Sequence, residues 1–136
     1  MGRDPGTRAE VQSWQLGYTR VLRLVGELDA VTVPDLRLTL DEAITSDDPS
    51  LVVDLTQVTF IASAGVGVLV ELRVRVSEHD GRLIVVLPRV GRARRMFEVT
   101  RIVDHFEIRE TVEDAVRSLR DASDPAQAPV TTELER

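Results

Sequence analysis

The apolar positions of this chain fall into short runs and longer stripes. Leu51-Val52-Val53-Asp54-Leu55 and Leu83-Ile84-Val85-Val86-Leu87 are nearly unbroken apolar runs. Strands buried on both faces read this way and belong to parallel sheets. Between them, residues 64–79 have the length and period of a helix. The three together form a β-α-β unit, which crosses over right-handed.

Upstream, Trp14 and Leu16 alternate with Ser13, Gln15 and Gly17, as in a half-buried strand. Gly17-Tyr18 offers a turn into a second strand over Val21 to Val25, so the chain opens as a hairpin. Gly26-Glu27-Leu28-Asp29 then ends that strand as a loop. Thr32 is placed to cap a helix, with Pro34 in its first turn. Leu36, Leu40, Ala43 and Ile44 give that helix its apolar face, and Asp47-Asp48-Pro49 stops it. Downstream, Pro88 ends the second apolar run. Val90, Ala93, Met96 and Phe97 predict a third helix, and His105 to Ile108 a short edge strand. Thr111 with Asp114 resembles a capping box, ahead of a last helix striped by Val112, Ala115, Val116 and Leu119. The sum is an α/β domain: a mixed β-sheet of four to five strands with about four α-helices packed on it. The domain is expected over residues 11–120. Residues 1–10 read as a flexible leader, and residues 121–136, rich in Pro, Ala and acids, as a flexible tail.

The informative segment is Ile61-Ala62-Ser63-Ala64-Gly65-Val66-Gly67-Val68, where the middle helix begins. Serine is a favoured N-cap because its hydroxyl accepts from a free backbone N–H. Gly65 and Gly67 each cost about 1 kcal/mol relative to alanine inside a helix. Something should therefore approach the backbone there, either a packed neighbour or a ligand. At about 100° per residue, Gly65, Val68, Leu69, Leu72 and Val76 form the stripe that faces the sheet. Val66, Val70 and Val74 form another stripe, nearly opposite, with Ser63 and Gly67 along it and Glu71, Arg75 and Glu78 at its flanks. A surface helix should be polar on that side. Either a neighbouring helix covers these valines, or they are an apolar docking patch with a hydroxyl at its rim.

Phosphate on Ser63 would add about −1.5 to −2 charges. A helix N-terminus accommodates an anion well, so the domain would keep its fold. A protein docking on the valines would have to desolvate that charge, which is costly unless it is paired. A local modification can thus reject a partner without unfolding the domain. Taken alone, Ser63 is a plain N-cap.

Composition narrows the possibilities. A chain of 136 residues fits one domain with a real core. It has no cysteine, which excludes disulfides and cysteine catalysis. No apolar run approaches the roughly 20 residues that span a bilayer, and the first ten residues lack the apolar stretch of a secretory signal. No membrane insertion and a cytoplasmic location are expected. The net charge of −6 argues against nucleic-acid binding, although Arg89, Arg92, Arg94 and Arg95 form a local basic cluster. That cluster reads as a solvated helix face or as a rim against an acidic partner. All 17 basic residues are arginine, which we read as codon bias.

Three stretches carry a family resemblance. Val52 to Leu69 resembles the signature of STAS domains, in particular the bacterial anti-sigma-factor antagonists: a buried strand, an Asp-Ser-Ser/Thr-Gly loop and a helix. Gly26-Glu27-Leu28-Asp29 is similar to the family's G-E-L/I-D turn. Pro88 to Phe106, with Met96-Phe97, resembles its basic stretch, Leu-Phe pair and short last strand. The likeness spans residues 11–120 in order. It implies a protein that binds an anti-sigma factor, often itself an ATP-dependent serine kinase, and so frees a sigma factor. It implies phosphorylation at the first serine of the loop, which is Ser63, and reversal by a phosphatase. ATP and Mg²⁺ would belong to the kinase, so this chain is expected to need no cofactor. Partner contacts would fall on Ala62, Ser63, Ala64, Gly65, Val66, Gly67, Val70, Val74 and Asp29. Ala62 departs from the family's aspartate, and Ala64 from its second serine or threonine. Divergent members serve as constitutive scaffolds of stress-signalling assemblies or as subunits of lipid transporters. Self-association into a homodimer stays open.

Catalysis finds little footing. His79 and His105 lie far apart in sequence, and no Gly-x-Ser-x-Gly elbow surrounds Ser63. Gly65-Val66-Gly67 lacks the third glycine of a dinucleotide fingerprint, and there is no P-loop lysine. Asp29 and Asp54 could converge at the loop end of the sheet, a pairing that is usually solvated or capping. The chain reads as a binding protein rather than an enzyme, with no metal site.

Overall fold

The computed structural model describes residues 9–44 and 50–123. The elements run β1 (Ala9–Leu16), β2 (Thr19–Leu28), α1 (Val33–Ala43), β3 (Leu51–Ile61), α2 (Ser63–Ser77), β4 (Leu83–Val86), α3 (Arg92–Val99), β5 (Glu107–Arg109) and α4 (Val112–Ser123), with a 3₁₀ turn over Val103–His105. The strands form one sheet in the order β1-β2-β3-β4-β5. β1 is antiparallel to β2, and every later neighbour is parallel. This is the mixed sheet with four helices that the sequence predicts. The first described residue, Ala9, already lies in β1, and the last, Ser123, lies in α4. The Asp47-Asp48-Pro49 stop, the leader before Ala9 and the tail beyond Ser123 lie outside the described residues.

Topology decides which face each helix covers. The strands advance in one direction across the sheet, and right-handed crossovers then put α1, α2 and α3 on the same face. Leu22, Leu24, Val53, Leu55, Val85, Leu36, Leu69, Leu72 and Phe97 build the core there. α4 follows the last strand and returns across the opposite face, where Ala115, Val116 and Leu119 pack on Val21, Val52, Ile84 and Val86. Central strands are therefore buried on both sides, which is why their sequences are continuous apolar runs.

Several predicted boundaries shift. Gly26, Glu27 and Leu28 are not a loop; they continue β2 and pair with Val58, Phe60 and Ile61. The register slips between Arg23 and Val25 and again between Gly26 and Glu27. β3 carries the extra residues, and two bulges there keep Leu55, Val58 and Ile61 on the core side despite a spacing of three. Val90 precedes α3 and is exposed, while Ala93 and Phe97 are the residues that helix buries. His105 lies in the 3₁₀ turn rather than in the edge strand. Thr111 accepts from the Asp114 amide at 3.0 Å, as a capping serine or threonine does.

β4 ends at Val86, opposite Asp54. The last part of β3 therefore has no strand beside it on that side, and α3 packs against it instead.

Candidate functional site

The site is the start of α2, held against the end of β2. The Ala62 amide donates to the Leu28 carbonyl at 2.8 Å. Ala62 is extended (φ −95°, ψ 176°), and its carbonyl accepts from Gly65 and Val66 at 2.9 and 3.1 Å. This makes Ala62 the N-cap and Ser63 the first helical residue, a correction to the expected N-cap role of Ser63. Alanine has no side chain to cap with, and the Ser63 hydroxyl makes no capping hydrogen bond. Ser63 is exposed, and the first turn contains no acidic residue. The free N–H groups of that turn thus leave a partial positive charge facing solvent at the serine.

The two glycines have different surroundings. A Cβ on Gly65 would meet Leu28 Cβ at 2.7 Å, the Leu28 carbonyl at 2.9 Å and Ile61 Cγ2 at 3.1 Å, so this glycine lets helix and strand touch. A Cβ on Gly67 would meet nothing within 4 Å. No packing among the described residues accounts for Gly67.

The predicted core stripe of α2 is buried in full: Gly65, Val68, Leu69, Leu72 and Val76. On the opposite side Val70 is 42% exposed and Val74 49%. Val66 and Ala64 are half-buried and lean on the core, so the outward patch consists of Ser63, Gly67, Val70 and Val74. α1 lies along one flank of α2. There Arg37 grips the Glu71 carboxylate at 2.9 and 2.6 Å, and Arg75 meets Asp41 at 2.8 Å. On the other flank the Arg73 guanidinium stands 6.0 Å from the Phe106 ring. These contacts steady the sides of α2 and leave its outer face uncovered by any described element.

Asp29 sits in the turn after β2. Its Oδ1 accepts from the Val31 and Thr32 amides, both at 3.0 Å. The buried Thr32 hydroxyl donates to the Glu27 carbonyl at 2.6 Å and accepts from the Asp29 amide at 3.0 Å. Thr32 is thus at the cap position of α1 without serving as its side-chain cap; its hydroxyl is spent tying the turn. The knot fixes Leu28, and Leu28 in turn fixes Ala62 and Gly65. Sequence reasoning identified Asp29 and Thr32 but not this link, which needs the long β2 to be seen.

Asp54 does not join Asp29. It lies midway along β3, 1% exposed, with Arg23 at 2.8 Å and the Thr56 amide at 2.9 Å. Arg23 also stacks 4.9 Å from the Trp14 ring. This pair belongs to the sheet face that α4 partly covers. His79 stands at the end of α2, its Nδ1 3.1 Å from the Arg75 carbonyl, away from Ser63. No group of three or more His, Asp or Glu suited to a metal occurs among the described residues, and no described helix is long and apolar enough to cross a membrane.

Known proteins share this fold. The chain is 34% identical over 90 residues to the anti-sigma-B factor antagonist of Listeria monocytogenes, covering 63% of this chain and 75% of that protein. An anti-sigma factor antagonist from Mycobacterium paratuberculosis has a similar fold (TM-score 0.70, 24% identity, 86% of this chain and 97% of that one). So does the Bacillus cell fate determinant SpoIIAA in its phosphorylated form (TM-score 0.58, 24% identity, 82% and 100%). The STAS domain model matches residues 12–115. That span runs from β1 into α4 and takes in the helix start at Ser63, so both the fold and the segment that carries the site lie inside the match: the chain belongs to the STAS domain family.

Proposed function

We infer that this protein is an anti-sigma-factor antagonist that works by reversible docking. Unmodified, it binds an anti-sigma factor through the start and outer face of α2, and a sigma factor is released. Phosphorylation of Ser63, by the anti-sigma factor acting as a serine kinase or by another kinase, ends the interaction, and a phosphatase restores it. The observation that carries this reading is the exposed Ser63 at the head of an uncovered apolar stripe, Gly67, Val70 and Val74. The relatives named above support the role, and a similar fold solved in a phosphorylated form supports the switch.

The physics follows from the geometry. A phosphate on Ser63 meets free N–H groups and no acidic side chain in the first turn, so the free domain tolerates it. A docked partner must bury that charge beside Val70, which is unfavourable without a cation to pair it. Asp29 acts through the turn that seats α2.

Ala62 and Ala64 favour a second reading, a constitutive scaffold or transporter subunit, because they remove side chains that the family carries beside the serine. One experiment separates the two. Ser63→Asp and Val70→Asp are titrated by calorimetry against the anti-sigma factor of the same genome. We expect both to keep the far-ultraviolet circular dichroism of the parent and to bind about tenfold more weakly or worse. Unchanged binding by Ser63→Asp rules out the switch and leaves the scaffold.

A further inference from the structure

α3 carries a second surface feature. Arg92, Arg95, Met96 and Val99 recur at helical spacing and share one stripe, adjoining the buried pair Ala93 and Phe97. The stripe faces the overhanging end of β3, where Phe60 and Ile61 complete a groove of about 320 Å³. Phe60 is 41% exposed and Val99 72%. Large apolar groups therefore stand in water where no described residue covers them. Ile61 lines the groove, and Ser63 follows two residues later, so the groove adjoins the α2 site without being part of it.

The rim is cationic. Arg92 and Arg95 are exposed, and neither guanidinium has an ion pair or hydrogen bond among the described residues. Arg23, Arg37, Arg75, Arg82, Arg89, Arg94 and Arg117 all face carboxylates. Among the described residues Arg73, Arg101 and Arg120 also face no carboxylate, but Arg92 and Arg95 stand together on one face of one helix, in a chain of net charge −6. They are one helical turn apart, about 5–6 Å between Cβ atoms. Two carboxylates on one short segment can reach both. Arginine stems lie along apolar surface while their heads stay wet, and the planar head matches a carboxylate with two parallel hydrogen bonds.

We propose that this groove binds a protein segment bearing one large apolar side chain flanked by carboxylates. The apolar group lies over Phe60 and Met96, and the carboxylates meet Arg92 and Arg95. The same chemistry could suit an anionic bilayer, but a flat membrane needs a broad basic face. Here the exposed Glu98 and the overall negative charge oppose it.

The test uses the full chain and fluorescence anisotropy. The probe is a labelled peptide with a single leucine between paired aspartates. One twin carries lysines for the aspartates, and another carries serine for the leucine. Phosphatidylglycerol vesicles serve as the lipid arm. The acidic peptide is expected to bind about tenfold tighter than either twin. R92E/R95E should lose that preference at an unchanged melting temperature. Val99→Ser, which leaves the charges in place, should weaken binding about fivefold. Val70→Asp should bind the peptide as the parent does, which keeps this result separate from the fate of the α2 site. Full binding by R92E/R95E, equal binding of the lysine twin, no binding of the acidic peptide, or capture by vesicles alone would each overturn the proposal.

Discussion

A methyl group added at Gly65 would press on the backbone of Leu28, whereas one added at Gly67 would touch nothing among the described residues. Gly65→Ala should push the start of α2 off β2 and lower stability by about 1–3 kcal/mol. Gly67→Ala should raise stability by up to about 1 kcal/mol, because alanine is the better helix former and has room. Urea melts of the two variants check this, and the opposite order would refute the assigned roles. The sequence showed that both glycines were anomalous for a first helical turn. It did not show which one answered to packing, because the closeness of Leu28 depends on β2 running further than its apolar run suggests. The same distance in space hid the Arg23–Asp54 pair, whose members are 31 residues apart.

Elements with a clean period were legible. The buried stripe of α2 and the stripes of α1 and α4 match the apolar positions read from the chain. The end of β3 was not legible, since Leu55, Val58 and Ile61 are spaced by three and break the strand alternation. Two bulges restore their inward aim, and no local signal marks a bulge of this kind. The outer face of α2 left two readings open from sequence, and in the structure Val70 and Val74 stand exposed, with no described helix over them. Between α1 and α2, the hydrogen bonds from Arg37 hold the Glu71 carboxyl below the usual glutamate range. A lowered folded-state value means that the stabilisation is present at neutral pH. It is lost as pH falls below about 4.3 through the folded-state value. Both side chains are exposed, so the effect on stability is small. An NMR carboxylate titration should place Glu71 below the usual glutamate range, and Arg37→Ala should return it to that range. A midpoint that ignores Arg37→Ala would deny the ion pair.

Across the whole molecule, β2, β3 and β4 serve two cores at once, one under α1 to α3 and one under α4. Neither core can melt without exposing the back of the other. Trp14, the single tryptophan, packs beside the α4 core, so its fluorescence reports that side, while far-ultraviolet circular dichroism reports the entire fold. Leu119→Ala should cost about 2–5 kcal/mol, with the two signals still changing together in one transition. Separate transitions would show that α4 is an independent unit.

The hydrogen bond from the Ala62 amide to Leu28 has a dynamic consequence. A loop-to-helix junction would ordinarily breathe with the loop, opening far more often than the protein unfolds. Here that amide is anchored to a central strand, so its exchange with solvent deuterium is tied to opening of the sheet. The serine next to it therefore stands on a preorganised base, and in the proposed docking role a partner would spend none of its affinity on ordering the junction.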